Sequence, residues 1–96
     1  MYTKQPAIYI LTNKKNGTLY LGVTSNLTQR ISQHKNGTIN GFSKRYGCTI
    51  LVYYEYFQTM TDAIIREKQL KVRVRDYKVA LIESKNFEWQ DLFQHE

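Results

Sequence analysis

The pattern of apolar and polar positions near the start of the chain predicts a β-hairpin. Two apolar runs, residues 8–11 and 19–23, flank Asn16 and Gly17, a dipeptide that favours a tight two-residue turn. Because side chains alternate across a strand, every second residue of each run would share one face. One face would be uniformly apolar and would pack against a core; it contains Ile8, Ile10, Leu19, Leu21 and Val23.

The opposite face of this hairpin would carry two tyrosines beside a glycine. The strand pairs that a two-residue turn implies are Lys15 with Thr18, Asn13 with Tyr20, Leu11 with Gly22 and Tyr9 with Thr24. A four-residue loop would keep the same residues together on that face, whereas a loop of odd length would separate them. Aromatic residues favour strands in any case, so the hairpin alone favours two ordinary strand tyrosines.

The following segments predict the rest of an α+β fold. Candidate N-caps at residues 24–26 begin a helix that reaches about Lys35. Residues 36–47 are rich in glycine and polar side chains and predict a flexible basic loop. Residues 49–57 are dense in β-branched and aromatic residues and predict a third strand, central in the sheet because both of its faces are largely apolar. In this strand, alternation would place residues 50, 52, 54 and 56 on one face.

The last third of the chain predicts helices. Thr59 and Asp62 are spaced like a capping box, and the helix that they begin should reach about Val72. Its inward stripe would contain Ala63, Ile64, Glu67, Leu70 and Val74. A helix over residues 76–84 would bury Tyr77, Ala80 and Leu81, and a short closing helix over residues 88–93 would seal the core with Trp89 and Leu92. The predicted fold is an α+β (α/β sandwich) fold, with a small three-stranded antiparallel sheet flanked by helices in the order β-β-α-β-α-α.

Size and composition limit the class of protein. Ninety-six residues allow one domain, residues 1–96, with a modest core. The apolar runs are far shorter than the roughly 20 residues of a membrane span, and no signal peptide is evident, so we expect a cytoplasmic protein. Cys48 is the single cysteine, which excludes an internal disulfide; with two histidines it also excludes a usual structural zinc site.

The first half of the chain carries positive charge without acids. The net charge is +6, and residues 1–54 contain no Asp or Glu. Such a half-domain should attract polyanions, although a basic surface that is only solvated is the alternative. Arg30 and His34 lie four apart in the first predicted helix and so project from one face. Together with the two hairpin tyrosines in the same half, they favour phosphate binding.

Glu67 lies in the inward stripe of a predicted helix and needs a compensating partner. A buried carboxylate without a cation or hydrogen bonds is unfavourable by several kcal/mol in the worst case. One candidate is a salt bridge to Arg30 or a neighbouring lysine. The other is a divalent metal, because Mg²⁺ often binds one or two carboxylates together with substrate phosphate oxygens and waters.

Several segments resemble the GIY-YIG endonuclease superfamily, in its small stand-alone bacterial branch. Tyr9 in Ala-Ile-Tyr, Tyr20 in Tyr-Leu-Gly, and then Arg30 and His34 fit the superfamily's motif and spacing. The later segments that resemble this branch are residues 41–46, 51–55, 66–71 and 86–92. Ala7 stands where the motif opens with glycine, which is a mild change in a strand.

The resemblance implies a metal-dependent DNA endonuclease, in DNA repair or recombination, that uses Mg²⁺ or Mn²⁺. It implies that Tyr9 acts as the general base, that Tyr20 hydrogen-bonds the water or phosphate, and that His34 orients Tyr9 or relays its proton. Arg30 would stabilise the transition-state charge, and Glu67 would bind the metal. Asn86 aligns with a trailing catalytic Asn, although its neighbour is a phenylalanine where that branch commonly has proline.

Basic side chains would bind the phosphates of the substrate. Those expected to do so are Lys15, Lys35, Lys44, Arg45, Lys71 and Arg75. The expected partner is DNA, branched or single-stranded, with RNA left open and no membrane. A nucleic-acid-binding accessory module with little or no turnover is the alternative, and the inward Glu67 argues against it because a pure phosphate binder has no need of such a carboxylate.

Overall fold

The structure is a computed structural model that describes residues 4–93. Its elements are β1 (Ala7–Thr12), β2 (Leu19–Thr24), α1 (Leu27–Lys35), α2 (Phe42–Arg45), β3 (Ile50–Tyr56), α3 (Met60–Lys71) and α4 (Arg75–Lys85). The strands form one antiparallel sheet in the order β2-β1-β3. This confirms the predicted fold, with one addition: the segment predicted as a flexible loop contains the short helix α2. Among the described residues, no helix is both long and apolar enough to cross a membrane.

β1 is the central strand, and every one of its residues is buried. The prediction that β3 is central was therefore wrong, because β3 lies at an edge of the sheet. Both faces of β3 are apolar for another reason, which is that helices or the C-terminal segment cover the sheet on both sides. That segment also reaches the β3 backbone, where the Leu92 N–H donates to the Leu51 carbonyl at 2.7 Å.

The hairpin register differs by two residues from the predicted one. Tyr9 pairs with Gly22, and Leu11 pairs with Tyr20, so residues 13–18 form a longer connection than the predicted two-residue turn. Because the shift is an even number of residues, each side chain stays on its predicted face. The prediction of which residues share a face was correct, although each predicted strand pair was wrong.

The turn itself is centred one residue earlier than predicted. The Gly17 N–H donates to the Lys14 carbonyl at 2.9 Å, which makes Lys15 and Asn16 the central residues. Asn16 has φ 61°, a conformation that asparagine tolerates better than most side chains. The remainder of the connection is closed by the Asn13 side chain, which accepts from a backbone N–H at 3.0 Å.

Two hydrophobic layers cover the sheet. α3 and α4 cover the face of Ile8 and Ile10, and α1 covers the face of Tyr9 and Leu11. The first layer contains Ile8, Ile10, Val52, Tyr53, Ala63, Leu70, Ile82 and Trp89. The second contains Ala7, Tyr9, Leu11, Leu27, Ile31, Cys48 and Leu51.

An irregularity in β3 changes the predicted alternation of its side chains. Ile10 pairs with Tyr53 and Leu11 pairs with Leu51, which leaves Val52 as an extra residue in β3. Val52 and Tyr53 both join the layer of α3 and α4, whereas Tyr54 packs against the other layer. The prediction that residues 52 and 54 share a face was wrong, because a bulge inserts one residue into the period of two.

The helices α3 and α4 bury fewer residues than predicted. α3 begins as predicted, with the Thr59 side chain accepting from the Asp62 N–H at 3.1 Å. Only Ala63 and Leu70 of its predicted stripe are fully buried hydrophobics; Ile64 and Val74 are exposed, and Val74 already precedes α4 as its N-cap. In α4 the buried residue is Ile82, while the predicted core residues Tyr77 and Ala80 are exposed and Leu81 is partly buried against the core.

The predicted closing helix over residues 88–93 does not form. Trp89 has φ 58°, which interrupts a helix, and the segment runs along the core instead. Trp89 is only 5% exposed and Leu92 packs against the second layer, so both seal the core as predicted. The Asn86 side chain holds this segment: its Nδ2 donates to the Val52 carbonyl at 3.1 Å and the Gln90 carbonyl at 2.8 Å, and its Oδ1 accepts from the Gln90 N–H at 2.9 Å.

Replacing Asn86 with alanine should destabilise the protein by about 2–4 kcal/mol, because buried backbone groups of two segments lose their partner. Urea unfolding followed by the fluorescence of the single tryptophan measures this loss. Gln90→Ala is the matched control, since Gln90 makes its bonds to Asn86 through its backbone. Unchanged stability with lost cleavage would instead assign Asn86 the catalytic role expected from the sequence, which no contact of its side chain supports.

Candidate active site

A buried tyrosine and a buried histidine form the centre of the site. Tyr9 lies in the middle of β1, and its hydroxyl is 2.9 Å from Nε2 of His34 on α1. Both residues are buried. The Nδ1 atom of His34 lies 2.9 Å from Oγ of Ser43, a buried residue of α2. A chain of polar contacts thus joins the sheet to α1 and then to α2.

α1 positions His34 through its ends and its buried face. The Asn26 side chain caps the helix by accepting from the Gln29 N–H at 3.2 Å. Leu27 and Ile31 pack against the Tyr9 face of the sheet, and His34 follows them on the same side of the helix. His34 therefore faces the sheet because it follows Leu27 and Ile31 at the spacing of the buried side of an amphipathic helix.

Gly22 provides the space in which the Tyr9 ring lies. A Cβ atom built on Gly22 would lie 2.4 Å from both Cζ and Oη of Tyr9. Tyr9 and Gly22 are also direct partners in the strand register. The tyrosine ring therefore lies across the partner strand at the position where that strand has no side chain.

Tyr20 forms the side of the site that is nearer to solvent. Its ring centroid is 6.3 Å from that of Tyr9 and 5.4 Å from that of His34. Unlike those two residues, Tyr20 is partly exposed. A ligand can therefore reach Tyr20 from solvent.

The environment keeps both central groups neutral at pH 7. Burial raises the pKa of Tyr9 to about 12, and the neighbouring Tyr20 adds to this, while the Arg30 guanidinium acts in the opposite direction. Burial, assisted by the positive charge of Arg30, lowers the pKa of His34 below its usual 6.5. A neutral imidazole has one donor and one acceptor nitrogen, so His34 can accept the Tyr9 hydroxyl proton at Nε2 while donating from Nδ1 to Ser43.

Glu67 lies on the helix that covers the other face of the sheet. Its side chain is 13% exposed, and its carboxylate pairs with the Lys71 ammonium at 2.9 Å. α3 packs through Ala63 and Leu70 into the layer of Ile8 and Ile10, opposite to the Tyr9 ring. Ala63, Glu67 and Leu70 of the predicted stripe are buried or largely covered, whereas Ile64 and Val74 are exposed. The partner that compensates the carboxylate is a neighbouring lysine.

The metal-ligand set of the site would be small. Within residues 4–93, no group of three or more His, Cys, Asp or Glu side chains is placed to hold a metal ion. One carboxylate still fits the chemistry of Mg²⁺, which keeps several waters and takes its remaining ligands from substrate phosphates. The donor set therefore suits an ion that binds together with a nucleic acid, and does not suit a permanently held ion.

Three of the six residues predicted to bind phosphates are held by a carboxylate or by backbone carbonyls. Lys35 pairs with Asp91 at 2.6 Å and donates to the Thr49 carbonyl. Arg75 donates to the carbonyls of Asn16 and Gly17 at 3.0 and 2.7 Å, and Lys71 pairs with Glu67. The long side chains of these cations reach partners that sequence spacing does not reveal. The other three, Lys15, Lys44 and Arg45, are exposed.

Ser43 is the residue of this group that the sequence interpretation missed. Its segment was identified as part of the resemblance, but a flexible loop was predicted there, and no role was given to its hydroxyl. The available signal was a single small polar residue between an aromatic residue and two basic ones in residues 41–46. A short helix that buries one small residue and exposes its neighbours produces such a pattern.

The fold and this group of residues define the class of the protein. Residues 5–80 match the family model of the GIY-YIG catalytic domain, so the chain belongs to the GIY-YIG family. Because GIY-YIG domains form a nuclease superfamily, this membership supports a nuclease-like domain that acts on nucleic acid.

Similar proteins carry the name UPF0213. The chain is 39% identical over 79 residues to a UPF0213 protein of Clostridium perfringens, covering 82% of this chain and 84% of that protein. It is 35% identical over 78 residues to one of Staphylococcus haemolyticus, covering 81% and 94%. The solution NMR structure of a UPF0213 protein from Bacillus halodurans superposes with a TM-score of 0.57 at 26% identity, covering 91% of this chain and 92% of that one.

Proposed function

We propose that the protein is a metal-dependent endonuclease that hydrolyses phosphodiester bonds of DNA, in repair or recombination. The observation that carries this proposal is the buried contact between the Tyr9 hydroxyl and the neutral His34 imidazole, beside Arg30. This group lies in the half of the chain that has no acidic residue. An anionic phosphodiester can therefore approach it without repulsion from a neighbouring carboxylate of that half.

Tyr9 would act as the general base toward the attacking water. A phenol with a pKa of about 12 is ionised in roughly one molecule in 100,000 at pH 7. Its proton must therefore leave during the reaction, and Nε2 of His34 at 2.9 Å is the acceptor within reach. Positive charge near the phenol favours this loss, and Arg30 already acts in that direction.

Arg30 and Tyr20 would contact the phosphate. The planar guanidinium of Arg30 can donate two parallel hydrogen bonds to phosphoryl oxygens, and these strengthen as negative charge develops in the transition state. Tyr20 lies within ring contact of His34 and is partly exposed, so its hydroxyl can donate to the water or the phosphate.

Glu67, on α3, would hold the divalent ion. β2 is an edge strand, and α3 packs against it from the other face. An ion bound there would need to share its ligands between Glu67 and the phosphate, with waters completing the set. When bound, Mg²⁺ or Mn²⁺ would supply charge stabilisation for the phosphoryl and leaving oxygens.

Sequence recognition is not expected of this site. Phosphate contacts position a protein on DNA but do not identify bases. Exposed cations that can make them are Lys15, Lys44 and Arg45. Binding should therefore weaken as salt rises, with preference for DNA shape or ends over sequence.

The test of this proposal is a cleavage assay on plasmid, single-stranded and branched DNA, with Mg²⁺ or Mn²⁺ against chelator. We expect cleavage with metal and its loss with chelator. Glu67→Gln should raise the metal concentration needed for half-maximal cleavage by about tenfold or more, since a carboxylate ligand becomes a neutral amide. Lys71→Ala is the matched control, because it removes the same ion pair and leaves the carboxylate.

Equal behaviour of these two variants would show that Glu67 serves only the ion pair.

Absence of cleavage on every substrate, together with measurable binding, would favour the second candidate function, a nucleic-acid-binding module with little turnover. The observations in favour of that candidate are the protonated state of Tyr9 at neutral pH and the pairing of Glu67 with Lys71.

A further inference from the structure

We infer that α2 and Tyr20 form a binding platform for unpaired nucleobases of single-stranded DNA. The platform consists of the rings of Tyr20, Phe42 and Tyr46. The Tyr20 and Phe42 rings are nearly parallel, at 23° with centroids 6.3 Å apart, and the Phe42 and Tyr46 centroids are 4.6 Å apart. This inference deepens the proposed function, on which it rests, by naming the substrate class of the same site.

Phe42 and Tyr46 present aromatic surface to solvent that the fold does not use. Each residue is 47% exposed. α2 is anchored by other means: Ser43 is buried, its Oγ contacts His34, and its carbonyl accepts from the Cys48 N–H at 2.8 Å. The exposed rings are therefore available to a ligand.

The charge around the platform suits a nucleic-acid strand. The Arg45 guanidinium lies 6.0 Å from the centre of the Tyr46 ring, and Lys44 is exposed on the same helix. No acidic residue occurs in residues 1–54. Cations that follow the phosphates, beside aromatic rings that stack on bases, are the combination by which proteins bind single strands.

The platform is fixed beside the candidate catalytic group. Tyr20 belongs to both, with its ring centroid 5.4 Å from that of His34. The Ser43 contact ties the platform helix to the other nitrogen of the same imidazole. A base that stacks on Phe42 would therefore bring its own phosphates close to Tyr9 and Arg30.

Only unpaired bases can use such a surface. In a duplex both faces of each base are covered by its neighbours, whereas bases of a single strand can turn a face toward an aromatic side chain. The platform therefore favours single strands and unpaired segments of branched DNA over continuous duplex.

The test measures binding of the full chain to labelled oligonucleotides by fluorescence anisotropy in chelator, so that no cleavage occurs. The ligands are a thymine single strand, the same strand with abasic residues at its centre, and a duplex of equal length. Wild type should bind the thymine strand about tenfold or more tightly than the other two. The double variant F42A/Y46A should lose about tenfold or more on the thymine strand and no longer distinguish it from the abasic strand.

Phe87→Ala is the matched control, because Phe87 is an aromatic residue with 67% exposure outside the platform. It should leave the preference unchanged, and tryptophan fluorescence should show that each variant is folded. Equal wild-type affinity for thymine and abasic strands, or an equal loss in F87A, would overturn the platform. A protein that shows the base preference but cleaves nothing with metal would overturn the endonuclease proposal alone.

Discussion

Replacing Tyr9 with phenylalanine should lower the cleavage rate by about two to four orders of magnitude, the range expected when a general base is removed. The ring, its burial and its position across Gly22 are kept, and the change is confined to the hydroxyl that contacts His34. Single-turnover cleavage of the best substrate found for wild type, at saturating Mg²⁺ and pH 8, measures the effect.

Tyr54→Phe is the matched control for this change. Tyr54 is the β3 partner of Tyr9 and packs in the same layer, so the control removes the same atom from the neighbouring strand. It should leave the cleavage rate within about twofold of wild type. If Tyr9→Phe also cleaves at the wild-type rate, Tyr9 is not the base.

The pH dependence gives a second readout of the same substitution. Because Tyr9 passes its proton to the neutral imidazole, the wild-type rate should rise with pH as His34 loses its own proton at its lowered pKa, and it should then level off, since the transfer releases no proton to solvent. Tyr9→Phe should lose this rise. The stability of the fold should instead fall at high pH. The raised pKa favours the protonated folded state, so the contribution of Tyr9 to stability is complete below pH 10 and is lost between pH 10 and about 12.

Loss of the hydroxyl should also destabilise the fold slightly. Nε2 of His34 is left without its buried partner, which costs about 1–3 kcal/mol. Urea unfolding of Tyr9→Phe against wild type measures this loss. Circular dichroism at the assay temperature should nevertheless show a folded protein, which separates the loss of cleavage from loss of structure.

The sheet and the grouping of the tyrosines could be predicted because they depend on a period of two. A register error of two residues moved every strand pair and yet left Tyr9, Tyr20 and Gly22 on one face. In the same way, α1 was predictable from its cap and its spacing, and Arg30 and His34 follow as residues four apart. Local periodicity carried these predictions.

The remaining differences arise from contacts between distant parts of the chain. The bulge at Val52 depends on the pairing of β3 with β1, and the local sequence pattern did not predict it. The partner of Lys35 is Asp91, 56 positions away, and the Arg75 guanidinium reaches a turn on the first hairpin. For long charged side chains, tertiary packing decides whether a cation is structural or free to bind phosphate.

The position of Glu67 shows where the resemblance and the structure give different information. The resemblance assigns the carboxylate to a metal, whereas the structure pairs it with Lys71 on a helix that covers the other face of the sheet. The Lys71 side chain of this pair is 57% exposed, although that of Glu67 is only 13% exposed. An ion pair of this spacing on a helix is typically worth about 0.3–0.5 kcal/mol, so a divalent ion bound with a phosphate would displace the lysine. Such weak pairing leaves the Glu67 carboxylate open to an exchange of partner.

Replacing Gly22 with alanine should remove both stability and cleavage, although alanine is normally the better strand residue. Gly22 does not have positive φ, so alanine meets no backbone strain there, and the lower entropy of the unfolded chain alone would stabilise the protein by about 0.4–1 kcal/mol. The new Cβ, however, would lie 2.4 Å from the end of the Tyr9 ring, which is buried and bonded to His34. Overpacking of this kind costs about 1–3 kcal/mol, and displacing the ring breaks the contact on which cleavage depends.

A double-mutant cycle isolates this cause. In a Tyr9→Leu background the ring is absent, so Gly22→Ala should become neutral or stabilising, and urea unfolding should give a coupling of about 2 kcal/mol between the two positions. The same penalty in both backgrounds would mean that something other than the tyrosine ring requires glycine at position 22. A penalty that disappears with the ring would show that the Tyr9 ring, which carries the hydroxyl bonded to His34, is what requires glycine at position 22 of β2.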